Sequence, residues 1–165
     1  MYILSDADIL SVCLRIQEYH QEYDQVTNDF FTILLNTGCR PDELMNITRW
    51  TWNGLSPIEL QPLKGNNVRG FQKADLTPAF IQHMEAQEQY FNIYSIDKYN
   101  YIFNKYNSFG PLRVQNKLIR NYLFRYNKVR QLRLEGWSFE RITSYFGWTN
   151  SGIVTGYAVK DIYTD

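Results

Sequence analysis

Between Ser5 and His20 the apolar residues Ile9, Val12, Cys13 and Ile16 recur at steps of three and four, the spacing of a helix with one inward face, and Ser5 stands where a capping hydroxyl belongs. A second such run covers about residues 25 to 36, with Phe30, Ile33, Leu34 and Leu35 turned inward and Gly38 as the stop. Pro41 suits the first turn of a new helix reaching about residue 47, and Asp42 and Glu43 favour its positive end. The period then changes. In I-E-L-Q-P-L-K-G-N-N-V-R-G-F-Q-K two short extended runs flank G-N-N, a hairpin turn signal that leaves Lys64 at the turn. Thr77-Pro78 opens a helix over P-A-F-I-Q-H-M-E-A-Q-E-Q-Y-F, and the tyrosine-rich stretch 94 to 110 is expected to hold a loop or a short helix. Beyond Gly110-Pro111 the chain reads as helix at about 112 to 121, 122 to 135 and 138 to 146, the last from a Ser138 cap to Gly147. No repeat, low-complexity tract or linker interrupts this order. It predicts one mainly α domain over residues 1–165 with a small antiparallel β-sheet, an α+β fold.

With 165 residues, 44% of them hydrophobic and 16% aromatic, the chain can bury a sizeable core, which excludes a wholly disordered protein. No apolar run approaches the roughly 20 residues that span a bilayer, and M-Y-I-L-S-D-A-D lacks the basic start of a signal peptide, so a soluble, cytoplasmic protein with no membrane partner is expected. Cys13 and Cys39 have neither metal nor redox spacing and read as buried thiols. His20 and His83 have no ligand partners at suitable spacing and read as surface helix residues, so no metal site and no cofactor is expected.

The net charge of zero conceals a segregated distribution. Residues 1 to 60 hold nine acidic and three basic side chains, whereas residues 105 to 141 hold nine basic ones against Glu135 and Glu140. Part of the surface is therefore expected to suit a polyanion, with Arg113, Lys117, Arg120, Lys128 and Arg130 as candidate DNA contacts; the plainer alternative is a solvated basic helix face.

T-G-C-R-P-D-E-L, residues 37 to 44, puts Arg40 where one helix stops and the next begins. Lys64, Arg125, Trp148 and Tyr157 also stand near the ends of elements, where side chains from distant parts of a chain can converge on a ligand. In order and spacing these segments resemble the catalytic domain of the tyrosine recombinases, the phage-integrase family. T-G-C-R-P-D-E-L is similar to that family's first arginine box, the Lys64 hairpin to its lysine hairpin, and Y-L-F-R-Y, residues 122 to 126, falls where it has a His-x-x-Arg box. L-E-G-W-S-F-E-R-I-T-S-Y-F-G-W-T-N-S-G-I-V-T-G-Y is similar to its closing segment, with Trp148 after a glycine and the nucleophilic tyrosine, Tyr157, nine residues on.

The resemblance implies that Tyr157 attacks a DNA phosphodiester to give a 3′-phosphotyrosyl bond, without metal or cofactor, in a homo-oligomer, a tetramer, on double-stranded DNA. A free phenol ionises near pH 10, so positive charge must assist it. Arg40 and Arg125 suit that task because a guanidinium stays charged and makes parallel hydrogen bonds to phosphate oxygens. Glu43, three residues after Arg40 on the same helical side, is expected to orient the Arg40 guanidinium. Lys64 would protonate the leaving oxygen, and Trp148 would donate its indole N–H to phosphate and pack against the segment carrying Tyr157.

Two features depart from the family. Tyr122 occupies the usual histidine position of the second box, where a phenol can donate a hydrogen bond but brings no charge, and Tyr126 replaces a frequent second histidine. No N-terminal core-binding domain is evident, so either a fragment or a minimal recombinase is expected. Two other functions remain open at this point. One is a weak or inactive DNA-binding protein of the same fold. The other is a helix-turn-helix regulator built on residues 132 to 157, which would leave Arg40 and Lys64 without a role.

Overall fold

Local chemistry sets the helix ends. The computed structural model describes residues 1–19, 24–63 and 67–165, so the expectations for His20 and Lys64 lie outside the described residues. After β1 (Tyr2–Ile3), α1 (Asp6–Tyr19) follows Ser5, whose hydroxyl accepts from the Asp8 N–H at 3.1 Å. Asp24 caps α2 (Gln25–Thr37) by accepting from the Thr27 N–H at 2.7 Å, and Gly38 ends it in the left-handed region at φ 62°. A Cβ on Gly38 would lie 2.7 Å from the Lys128 Cβ, so both the dihedral and the space require glycine.

The helix opened by Pro41 is shorter than expected. α3 (Pro41–Leu44) ends after one turn, and Asn46 caps a separate 3₁₀ turn, Ile47–Arg49, through a bond from the Thr48 N–H at 3.1 Å. The expected hairpin is present as β3 (Ile58–Leu60) against β4 (Arg69–Phe71), with Ile58 opposite Phe71 and Leu60 opposite Arg69. β2 (Trp50–Thr51) adds a third antiparallel strand on the other side of β3.

The run from Pro78 also stops early, with α4 (Pro78–Glu85) followed by a 3₁₀ turn at Phe91–Ile93. The tyrosine-rich stretch holds α5 (Ile96–Tyr106), which Ser95 caps by accepting from Lys98 and which buries Tyr99, Ile102 and Phe103.

The helix expected at 112 to 121 is instead a hairpin of β5 (Leu112–Val114) and β6 (Lys117–Ile119). Gln115 and Asn116 both have positive φ, 49° and 65°, the conformation of a two-residue turn that matches strand twist. β5 also pairs with β7 (Tyr163–Thr164), which pairs with β1, so residues from both ends of the chain complete a second antiparallel sheet, in the order β1-β7-β5-β6.

α6 (Leu123–Leu134) and α7 (Phe139–Phe146) match their expected positions, and α8 (Gly152–Ala158) carries Tyr157. Two apolar clusters result. The larger one joins α1, α2, α4, α5 and both sheets around Phe30, Phe31, Trp50, Phe80, Tyr99 and Phe103. The smaller one holds Val129, Leu132, Ile142, Phe146, Trp148 and Val154 between the C-terminal half of α6, α7 and α8. The fold is mainly α with small antiparallel sheets, as the sequence predicts, although the described residues form two sheets rather than one. Among the described residues no helix is long and apolar enough to cross a membrane.

Candidate active site

The side chains singled out in the sequence meet where the two clusters adjoin. Arg125, in the first turn of α6, is 2% exposed and donates from Nε to the Gly38 carbonyl at 2.9 Å. The left-handed stop of α2 therefore turns a carbonyl toward an arginine 87 positions away. The neighbouring Arg40 is half-buried, with its guanidinium 6.0 Å over the Tyr122 ring.

Glu43 joins these parts, though not as expected. It is fully buried, and its Oε1 accepts from the backbone N–H of Arg40 at 2.6 Å while lying 3.8 Å from Nη2 of Arg125. Its Oε2 accepts from the Leu63 N–H at 3.2 Å. The carboxylate therefore pairs with the Arg125 guanidinium and fixes the main chain of Arg40, rather than orienting the Arg40 side chain. The physical reason is that Arg40 is the N-cap of α3 and Glu43 its third residue, where a carboxylate bonds back to the free N–H of the cap.

From the other side, Trp148 is 4% exposed and sits in a stack of rings. Phe146 lies 4.4 Å away at 12°, and Tyr157 lies 5.2 Å away at 5°. The Arg125 guanidinium lies 5.4 Å from the Phe146 ring, 5.6 Å from Trp148 and 5.9 Å from Tyr157. Tyr126, one residue after Arg125, packs on Tyr157 at 4.8 Å and 59°, and burial raises its own phenol above the usual range. Arg40, Glu43, Tyr122, Arg125, Trp148 and Tyr157 thus form one connected group. Lys64 lies outside the described residues, but its described flanks are anchored on either side of the group: Leu63 at Glu43, and Asn67 through an N–H bond to the Gly147 carbonyl at 2.7 Å.

Among the described residues, two guanidinium atoms in the group are buried and find no hydrogen-bond partner, Nε of Arg40 and Nη1 of Arg125. Buried N–H donors are nearly always paired, so each has affinity for an acceptor. Three or more metal-ligating side chains are not clustered anywhere among the described residues.

No protein-family model matches the chain, and no curated protein sequence matches it. Among solved structures it is similar to the crystal structure of XerA recombinase, with a TM-score of 0.61 and 15% identity over 96% of this chain. The chain shares the fold of that structure. It spans 59% of the length of the XerA chain, and at 15% identity the likeness concerns the fold alone.

Within this recombinase fold the candidate DNA contacts divide by position. Lys117 and Arg120 are exposed, and Arg120 lines a cleft with Pro41, Asp42 and Tyr122. Arg113 is half-buried and paired with Asp165 at 3.1 Å. Lys128 is half-buried near the Tyr145 ring, and burial lowers the pKa of its ammonium. Arg130, also expected as a DNA contact, is 7% exposed and is taken up by the Tyr157 and Lys160 carbonyls and by Asp6.

Sequence reading also passed over Arg69. On β4 and 1% exposed, it donates to the Thr37 carbonyl at 2.8 Å and the Tyr145 carbonyl at 3.0 Å, with its guanidinium against Phe71, Tyr145 and Phe146. Burial lowers its pKa to about 10, which still leaves it charged at neutral pH. It joins the hairpin to the ends of α2 and α7. The trace in the sequence is an arginine two residues before Phe71, which puts both on the same face of a strand.

Proposed function

We propose that this protein cuts and rejoins double-stranded DNA through a covalent 3′-phosphotyrosyl intermediate on Tyr157. The observation that carries the reading is the two buried donors on Arg40 and Arg125, unpartnered among the described residues, within the group that includes Tyr157. A phosphodiester offers the oxygens those donors lack, and its pentavalent transition state carries more negative charge than its ground state, so the same groups would favour reaction over binding.

In this reading the Tyr157 oxygen attacks phosphorus, the bond to the 5′ oxygen breaks, and the phenolic proton leaves to water. Lys64 supplies the proton that the departing 5′ oxygen takes up. Rejoining reverses these steps. Trp148 holds the Tyr157 ring by stacking, and Glu43 keeps Arg125 aligned. A multimer on DNA, a tetramer in the completed reaction, belongs to the same proposal.

Tyr122 favours a second reading, DNA binding without cleavage. Its phenol lies beside Arg40 where the resembling family has a histidine, and it can donate a hydrogen bond but supplies no cation and is a poor proton acceptor. The helix-turn-helix alternative is less well supported, because α8 has only seven residues, buries Val154 and packs Tyr157 on Trp148, leaving little of it to enter a groove.

The test is a DNA duplex nicked near candidate cleavage sites, so that the cut fragment diffuses away and traps the intermediate. Wild-type protein is expected to become covalently joined to DNA, and Tyr157→Phe is expected not to. Bound DNA without a conjugate in the wild type would favour the second reading.

A further inference from the structure

Arg130 holds three partners from a buried position, and two of them are main-chain carbonyls of the segment that carries Tyr157. Its Nε donates to the Tyr157 carbonyl at 3.1 Å, its Nη2 donates to the Lys160 carbonyl, and its Nη1 meets Asp6 at 3.3 Å. The carbonyls of residues 157 and 160 lie in the last turn of α8 and just beyond it, where a helix has acceptors without intrahelical donors. A helix of seven residues has little stability of its own, so external donors at its end matter more than they would on a longer one.

Four residues earlier on α6, and so on the same face, Tyr126 packs against the Tyr157 ring. Arg125, one residue before Tyr126, places its guanidinium 5.9 Å from the Tyr157 ring. One helix therefore presents a clamp for the anion, a wall for the phenol ring and a tether for the phenol's own peptide unit.

We propose that Arg130 is a positioning residue that fixes Tyr157 for in-line attack by tethering the C-terminal end of α8 to α6, with Asp6 at the start of α1 holding the guanidinium from behind. The proposal rests on Tyr157 being the nucleophile. Misplacing a reacting group by about 1 Å can cost roughly a hundredfold in rate. Lysine at position 130 keeps the charge but cannot bond two carbonyls and a carboxylate in the fixed plane of a guanidinium.

The experiment measures single-turnover cleavage of the nicked duplex, DNA affinity, and amide hydrogen exchange of residues 154–159 for wild type, Arg130→Lys, Arg130→Gln and Leu132→Ala. The two Arg130 variants are expected to lose cleavage by about a hundredfold while DNA affinity stays within a few-fold, and exchange in α8 should quicken. Leu132→Ala empties part of the same small core without touching the tether. It is expected to lower the melting temperature yet leave cleavage per folded molecule unchanged. Cleavage and α8 exchange at wild-type levels in Arg130→Lys and Arg130→Gln would overturn the tether, and so would equal losses of binding and cleavage in step with the folded fraction. If the wild type forms no conjugate, the reading of Tyr157 fails, and the exchange data alone decide whether Arg130 holds α8.

Discussion

Glu43 shows how much can depend on one buried carboxylate. It is unexposed, and it accepts from two backbone amides and pairs with a buried arginine, so each charge offsets the desolvation of the other. Cys39 lies within the same electrostatic environment, between Gly38 and Arg40. Burial, aided by the Glu43 charge, pushes its thiol up to about 12 from an ordinary 9.0, against smaller opposing effects of Thr37, Arg69 and Arg125. An acid whose pKa is raised on folding contributes stability that is complete below its unfolded pKa and is lost as pH rises through the folded value. Stability is therefore expected to fall between about pH 9 and 12, and Cys39→Ala should lessen that fall. Denaturant midpoints across this range provide the check, and an identical alkaline profile in the variant would remove Cys39 as a cause. The thiol should also resist modification at pH 8 in the native protein and react on unfolding.

Among the elements, the close approach of the chain around Asn67 to the end of α7 requires glycine at position 147. Gly147 has φ 70°, its carbonyl accepts from the Asn67 N–H, and a Cβ there would lie 2.2 Å from the Asn67 carbonyl oxygen. Gly147→Ala is expected to push the hairpin away, lowering stability by about 1–3 kcal/mol from backbone strain and the lost hydrogen bond. Cleavage should fall further than stability does, because the hairpin carrying Lys64 moves relative to Trp148. Urea melts and the trapped-conjugate assay separate the two effects, and wild-type values in both would show that the contact yields freely. This glycine was readable as a helix stop but not as a contact, since the partner that excludes a Cβ is about 80 positions away.

The same distinction between local and remote causes runs through the chain. Helices with their own caps and apolar periodicity, such as α2 with Asp24 and Gly38 or α7 with Ser138 and Gly147, were legible in the sequence. β5 and β6 were not: three-residue strands around Gln-Asn give a weak turn signal, and the sheet they belong to is completed by Tyr2–Ile3 and Tyr163–Thr164. In the site, box order singled out Arg40, Arg125, Trp148 and Tyr157, and in the fold the Arg125 guanidinium lies 5.6 Å from the Trp148 ring and 5.9 Å from the Tyr157 ring. Arg69 and the buried position of Arg130 depend on what packs around each guanidinium, which spacing along one chain does not encode.

For the molecule as a whole, the uneven charge along the sequence becomes a statement about which cations can meet DNA. Of the five candidate contacts, Lys117 and Arg120 are exposed, Arg113 is paired with Asp165, Lys128 is half-buried, and Arg130 is enclosed. Each phosphate neutralised by a free cation releases counterions, which steepens the slope of log affinity against log salt by about 0.9 per contact on duplex DNA. If DNA lies over Tyr122 and Arg40, Lys117→Ala and Arg120→Ala should each weaken binding and each reduce that slope by about 1. Lys128→Ala and Arg130→Gln should leave it nearly unchanged, and Arg113→Ala should have an intermediate effect because Asp165 already screens that charge. Fluorescence anisotropy of a labelled duplex between low and physiological salt measures all five. A slope that responds to Arg130 and ignores Arg120 would place the DNA on another face. Slopes equal to the wild type in all five variants would mean that binding draws on none of these cations, and would turn the test to Arg40 and Arg125, whose buried donors have no partner among the described residues.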